Sequence, residues 1–343
     1  VQIADLYIGA LGVFVPPCVS VEWAVERGLY PAEEAEAHEL GGVAIAGDVP
    51  PPEMALRAAQ QAVKRWGGSP TEFDLLLYAS TWHQGPDGWP PQAYLQRHLV
   101  GGDMLALEIR QGCNGVFSAL ELAVGYLQAD PNRTSALIVA ADNYGTPLID
   151  RWRMGPGFIG GDALPPWCCK RPGFARLCSV ASKGLPEIES LHRGDEPLFP
   201  PSITRGRATD FSARIGQQFA TRSPAFVAMA EIQDHMMDVA ERALAGAGIG
   251  MADVARVSFM NYHAKWSSSA EWRPGGCRCP GPRGNSAGRS ATCGASDHLL
   301  SMEHIVRTGE LAPGDHVLQL ATAPGLVVSS AVLQVLESPD WDE

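Results

Sequence analysis

Short continuous apolar runs alternate along this chain with longer stretches in which apolar positions return every three or four residues. The first kind reads as strands buried on both faces, the second as helices with one covered face. Ile3 to Val15 is mostly apolar, carries Gly9 and Gly12, and is expected to be a bent strand closed by Pro16 and Pro17. Ser20 to Gly28 reads as a short helix capped by Ser20. In Pro52 to Trp66 one stripe holds Met54, Ala55, Ala58, Ala62 and Val63, with Arg57, Gln61, Lys64 and Arg65 opposite; this is an amphipathic helix ended by Gly67 and Gly68. Phe73 to Ser80, Met104 to Ile109 and Ala136 to Ala141 are strand-like runs. Between the last two, Val116, Leu120, Ala123, Val124 and Leu127 mark a helix that starts directly after Gly112-Cys113-Asn114-Gly115. This is the grammar of a layered α/β domain. Pro31 to Pro52, acidic and then rich in Gly and Pro, is expected to be a mobile surface segment.

The pattern then repeats. Met236 to Ala247 is a second Ala-rich helix ended by Gly248 and Gly250, and Val257 to Asn261 is a strand leading to Tyr262-His263, as Phe73 to Ser80 leads to Trp82-His83. Gly294-Ala295-Ser296-Asp297 opens a helix running to Ile305, followed by a strand from His316 to Ala321, as the Cys113 helix is followed by Ala136 to Ala141. The two halves read as one duplicated unit. We expect residues 1–170 to carry Cys113, residues 171–211, rich in Pro and Arg, to connect, and residues 212–343 to carry His263 and Asp297. Packing about a pseudo-twofold axis would bring Cys113 to face His263 and the start of the Asp297 helix.

Composition narrows the function. The chain has 343 residues, 45% of them hydrophobic and 19% charged, and a net charge of −12. That charge argues against a nucleic-acid binder and against a broad basic surface held to anionic lipid. No apolar run approaches a membrane span and none resembles a signal peptide. Eight cysteines in such a chain read as reduced thiols, which places the protein in the cytoplasm.

Cys113 is the candidate nucleophile. A sulfur at a helix N-terminus feels unpaired N–H groups and the positive end of the dipole, which lower a thiol pKa from about 8.5 toward about 3.5–7.5. The plainer alternative is a small Cys at a tight strand-to-helix turn. Trp82 and His83 follow the end of an apolar strand, where open α/β sheets place ligands. A solvated loop histidine is the alternative for His83.

Three motifs in order, Ala79-Ser80-Thr81-Trp82-His83-Gln84-Gly85, Arg110-Gln111-Gly112-Cys113-Asn114-Gly115 and Gly294-Ala295-Ser296-Asp297-His298-Leu299-Leu300-Ser301, with a late Ala323-Pro324-Gly325 loop, resemble the ketoacyl-ACP synthase III branch of the thiolase-fold enzymes. They are closest to its natural-product acyltransferases, which move malonyl, methylsalicylyl or orsellinyl groups. The resemblance implies a duplicated five-layer αβαβα fold, a homodimer, and no metal or other cofactor. It implies that Cys113 takes an acyl group from an acyl carrier protein or coenzyme A thioester and passes it to a small-molecule acceptor. It gives the backbone N–H groups of Cys113 and Gly325 the oxyanion hole, His263 and Asp297 catalytic places, and Trp82, His83, Trp89 and Asn114 contact with substrate. Carrier proteins are acidic, so Arg151 and Arg153, or Arg205, Arg207 and Arg214, are docking candidates.

Departures from the pattern redirect the chemistry. Condensing members carry His-Gln-Ala-Asn where this chain has His263-Ala264-Lys265-Trp266, and an Asn before the glycine that stands here as Gly294. A carboxylate at Asp297 would repel an enolate but would orient His263 as a base for a hydroxyl or amine. The expectation is O- or N-acyl transfer; a decarboxylative condensing synthase and an inactive homologue that binds acyl carrier protein are the alternatives, and Asp297 could instead be a helix N-cap. Two stretches fit nothing. Ala163 to Cys169 is poor material for the strand expected there, and both it and Gly281 to Gly288, inside the stretch from about Lys265 to Cys293, approach the family pattern when their codons are read two nucleotides along. We expect these to be frameshifted; resequencing and peptide masses that both confirm the chain in a folded, active protein would exclude that. The rival is a zinc site of Cys277, Cys279, Cys293 and His298, against which the Cys-x-Cys spacing argues.

Overall fold

The computed structural model describes residues 3, 6–38, 40–81, 85–145, 149–155, 159–163, 166–169, 173–200, 204, 206–260, 289–290, 292–323 and 325–341. In chain order the strands are β1 (Tyr7–Leu11), β2 (Cys18–Ser20), β3 (Leu40–Ala44), β4 (Leu75–Ser80), β5 (Leu105–Arg110), β6 (Ala136–Ala140), β7 (Pro166–Cys169), β8 (Ala175–Gly184), β9 (Val254–Phe259), β10 (Arg289–Ser290), β11 (His316–Ala323) and β12 (Val327–Val335). Nine of them form one sheet in the order β5-β4-β6-β7-β1-β8-β12-β11-β9. The duplication is visible in that order. From the β1–β8 junction outward, one side runs β1, β7, β6, β4 and the other β8, β12, β11, β9, and the pairings match step by step: antiparallel, antiparallel, parallel.

Period-two alternation explains why these strands are apolar on both faces. On β4, Leu75, Leu77 and Ala79 join the central core while Leu76 and Tyr78 face the helix Pro51–Trp66. On β11, Val317 and Ala321 join the same central core while Leu318 and Leu320 face the helix Ile232–Ala247. The central core also receives Val116, Phe117 and Leu120 from the helix Gly115–Gln128 and Leu299, Met302 and Ile305 from the helix Asp297–Arg307. Helix, strands, paired inner helices, strands, helix make the five layers. The stripe expected on Pro51–Trp66 is buried as read, and the chain after β1 lies so close to that helix that a Cβ on Gly12 would meet the Ala62 backbone nitrogen at 2.8 Å. Among the described residues no helix is long and apolar enough to cross a membrane.

Three segments differ from expectation. Pro31 to Pro52 contains a short helix, Ala32–His38, and strand β3, which pairs with β2 and β10 and buries Leu40, Val43 and Ala44. Residues 171–211 contain β8, a ten-residue strand at the centre of the sheet. Pro166-Trp167-Cys168-Cys169 forms β7 between β6 and β1 and is wholly buried; its proline stands at the first position of the strand, where a missing N–H matters least. The cost shows at Trp167, whose buried indole nitrogen has no hydrogen-bond partner.

Candidate active site

Strand β5 runs into a single 3₁₀ turn, Gly112–Asn114, and then into the helix Gly115–Gln128. Gly112 has φ +54°, a left-handed conformation that lets the chain reverse and present Cys113 as the helix begins. Cys113 is a partly buried free thiol. A matching turn, Gly294–Ser296 with Gly294 at φ +61°, precedes the helix Asp297–Arg307. The two turns abut: a Cβ on Gly115 would lie 3.0 Å from Ala79 Cβ and 3.8 Å from Ala295 Cβ.

Asp297 is fully buried and does not cap its own helix. Its carboxylate turns back, accepting from the Thr292 hydroxyl at 2.5 Å and from the Cys293 backbone N–H at 2.7 Å. Thr292 is held in turn by its carbonyl, which accepts from Gly161 N–H at 2.6 Å.

The structure adds Asp142 and Tyr144, which the sequence reading did not single out, and joins them to Thr81 of the first motif. Thr81 follows β4 and Asp142 follows β6, two neighbouring parallel strands, so both lie at the ligand-facing strand ends. Asp142 accepts from the Thr81 backbone N–H and from the Thr81 hydroxyl, each at 2.8 Å. With that proton committed, Thr81 Oγ1 accepts from the Tyr144 hydroxyl at 3.3 Å. All three converge beneath Gly294, where a Cβ would collide with the Tyr144 hydroxyl and lie 2.9 Å from Thr81 Oγ1 and 3.1 Å from Asp142 Oδ2. A polar residue closing the apolar run Ala136 to Ala141 was the available signal for Asp142.

Electrostatics reverse the expectation for Cys113. Burial pushes its thiol well above the usual range, the charges of Asp297 and then Asp142 push it further, and the hydrogen bond from its own backbone N–H opposes only in part. Burial and Asp142 likewise keep the Tyr144 phenol protonated, with Cys113 and Asp297 contributing. The helix terminus stands where the sequence placed it, and burial and two carboxylates act against it.

This geometry can be set beside known proteins. No protein-family model and no curated sequence matches the chain. The solved structure named "ChlB3 [Aceyltransferase]" is 48% identical, with 99% of this chain and 100% of that one covered and a TM-score of 0.88. The chain belongs to the ketoacyl synthase III-like acyltransferases of the thiolase fold. More distant in sequence, the 3-oxoacyl-[acyl-carrier-protein] synthase III of Aquifex aeolicus VF5 is 17% identical over 96% of this chain and 100% of its own, TM-score 0.71. That of Pseudomonas aeruginosa PAO1 is 18% identical over 98% and 99%, TM-score 0.73, and both attest the fold.

In this acyltransferase the remaining expected residues are distributed unevenly. Gly325, φ +107°, lies exposed in the turn between β11 and β12, and β11 packs against the Cys113 turn. Asn114 is fully buried and its side-chain amide has no hydrogen-bond partner. Trp89 is half-buried beside Tyr94, ring centroids 6.3 Å apart. Trp82, His83 and His263 lie outside the described residues, as do Cys277, Cys279 and Arg205. Of the zinc reading, Cys293 and His298 are buried; burial lowers the His298 pKa to about 3 and its ring packs edge-on to Phe117. Among the described residues no group of three or more His, Cys, Asp or Glu could hold a metal. Arg151 is no docking residue: it is buried and pairs with Asp162 through both terminal nitrogens, at 3.2 and 3.0 Å. Arg153 reaches Asp150 and Asp210, while Arg207 and Arg214 share Glu196.

Proposed function

We propose that this enzyme moves an acyl group, an aromatic polyketide or other small acyl, from an acyl carrier protein or coenzyme A thioester through a Cys113 acyl-enzyme to a hydroxyl or amine of a secondary metabolite. The observation that carries the reading is the apposition of the Cys113 turn with the Asp297 turn. The Cys113 sulfur, losing its proton to a base, attacks the thioester carbonyl; the carbonyl–sulfur bond to the carrier breaks and the carrier thiol leaves with a proton. The acceptor then attacks the acyl–Cys113 carbonyl, its proton passes to the base, and the sulfur departs. Because burial and two carboxylates hold Cys113 as a thiol, such a base is needed, and His263 is the residue we assign to it. Backbone N–H groups of Cys113 and Gly325 would receive the oxyanion; one such donor is typically worth about 10²–10³ in rate.

A carboxylate at Asp297 favours a base over enolate stabilisation, which sets acyl transfer above condensation. The edge strand β5 supports the homodimer: Leu105 and Leu107 are 43% and 40% exposed at the open end of the sheet, a strand that a second copy could extend. Intact-protein mass spectrometry after incubation with aryl, acetyl and malonyl thioesters tests the function. One acyl mass gained by the wild type and not by Cys113→Ala is the expected result. Release of CO₂ from malonyl thioester would mark a condensing synthase. Thioester binding with no adduct from any donor would mark an inactive homologue.

A further inference from the structure

Four inward positions set the two halves apart. In the first half, Val116 and Ala119 of the inner helix and the paired residues Leu77 of β4 and Ile138 of β6 all belong to the central core. Counted from the left-handed glycine of each turn, the counterparts of Val116 and Ala119 are His298 and Ser301. The matching strand pair is Ser258 of β9 and Gln319 of β11, with Gln319 between the core residues Val317 and Ala321. All four of these polar residues are buried. Such a seam is costly. Ser258 Oγ, Ser301 Oγ and both ring nitrogens of His298 have no hydrogen-bond partner, and an unpaired buried polar group gives up its hydration for nothing. Apolar side chains close the equivalent interface of the first half without that cost.

One contact in the seam is directional. The Gln319 side-chain nitrogen donates to the His298 backbone carbonyl at 3.0 Å. Only the nitrogen end of an amide can donate to a carbonyl, so the orientation of the side chain is fixed. His298 directly follows Asp297 at the start of its helix. Gln319 stands on the strand that runs on toward the Gly325 turn and packs against the Cys113 turn. Apolar burial presses a helix onto a sheet but has no preferred direction, whereas a hydrogen bond loses strength as its angle opens and so resists sliding along the helix axis. The first half has less need of such a bond, because Cys113 is carried by its turn and Asp297 by its helix.

We propose that Gln319 is a positioning residue, whose amide sets where the Asp297 helix stands relative to the Cys113 and Gly325 turns. The inference rests on the acyl-enzyme reading above and adds to it a residue that touches neither substrate nor reacting atoms. Reaction within a bound complex is steep in geometry: a displacement of about 1 Å costs up to about a hundredfold in rate.

Two substitutions read the bond. Gln319→Met keeps the length and bulk of the side chain and removes the donor. Gln319→Glu puts a carboxyl there that donates to the same carbonyl when protonated and repels it when ionised; burial raises the pKa of such a group into a workable range. Single-turnover acylation of Cys113 by an aryl thioester is followed by intact mass as thioester concentration and pH are varied, with the wild type alongside to carry every other titration. In Gln319→Met the maximal rate should fall at least about tenfold while the half-saturating concentration stays within about twofold, the mark of lost alignment rather than lost binding. In Gln319→Glu the rate should match the wild type at acidic pH and drop to the Gln319→Met level as the carboxyl ionises, a descending limb that the wild type lacks. Ser301→Ala deletes a hydroxyl of the seam, leaves the bond, and should change neither rate nor profile. Circular dichroism at each pH gives the folded fraction. A rate that only tracks that fraction, with no limb beyond it in Gln319→Glu, would overturn the proposal, and this holds even if Gln319→Met does not fold. So would a folded Gln319→Met acylated within about twofold of the wild-type rate. If no thioester acylates the wild type, the acyl-enzyme reading fails, and hydrogen exchange at the amides of residues 299–302 judges the bond by itself. Faster exchange in Gln319→Met would keep Gln319 as the anchor of the Asp297 helix; unchanged exchange would overturn that as well.

Discussion

The two turns at the centre of this enzyme share one backbone plan and do opposite things with it. Gly112-Cys113-Asn114 and Gly294-Ala295-Ser296 are both single 3₁₀ turns opened by a left-handed glycine and followed directly by an inner helix. In the first, the proposed nucleophile sits inside the turn and remains partly reachable. In the second, the proposed catalytic carboxylate of Asp297 sits two residues further along the shared plan, on the helix, and folds back onto its own turn through Thr292 and Cys293. Duplication thus supplies the scaffold twice, and a shift of position along it decides whether a group is presented or withheld.

Substitutions in the two turns should separate presentation from support. The largest effect is expected at Cys113→Ala, with loss of all covalent acylation and an unchanged melting temperature, since a partly buried small side chain is replaced by a smaller one. Gly294→Ala should do the reverse: a left-handed φ and collision with the Tyr144 hydroxyl predict a loss of roughly 2–4 kcal/mol, read by denaturant unfolding. Next comes acid stability. Burial lowers the His298 pKa to about 3, so the native protein keeps the ring neutral while the unfolded chain takes up a proton below about 6.5. Stability is full above that value and falls as pH drops toward 3, by about 2 kcal/mol at pH 5 for this residue. His298→Gln should flatten that slope, whatever it does to stability at pH 7. The smallest effect is expected at Thr292→Val, about 1–2 kcal/mol from the hydrogen bond its hydroxyl donates to a buried carboxylate and the long one it accepts from the Gly294 N–H. The comparison can also be sharpened by the pH dependence of Cys113 alkylation with iodoacetamide. With the thiol pushed up by burial and two carboxylates, the rate should still be climbing at pH 9; a plateau reached below pH 7 would mean that a cation at the sulfur overrides them.

What was legible in the sequence is local. The runs that became β4, β6 and β11 announce strands buried on both faces because each alternate residue has its own core to enter. The Cys113 turn shows itself through glycines that flank a cysteine between a strand and a helix. Less legible were features made by distant partners. β3 looks like a loose Gly-rich segment until β2 and β10 are beside it, and Gly42 is what lets it approach the Val19 carbonyl so closely. β8 hides in a stretch rich in Pro and Arg because its pairing with β1 and β12 supplies what the composition of that stretch does not. The direction of the Cys113 shift was missed for the same reason. Its helix is encoded beside it, while Asp142 and Asp297 arrive from other strands and from the other half.

The placement of Tyr144 has a mechanical consequence. Its ring lies against Gly160, where a Cβ would meet Cγ at 2.7 Å, and its hydroxyl lies against Gly294 from the opposite copy of the repeat. An aromatic plate wedged between two bare backbones acts as a spacer. It sets how near the two copies can come at the point where their turns meet, and a smaller residue there would let that distance breathe.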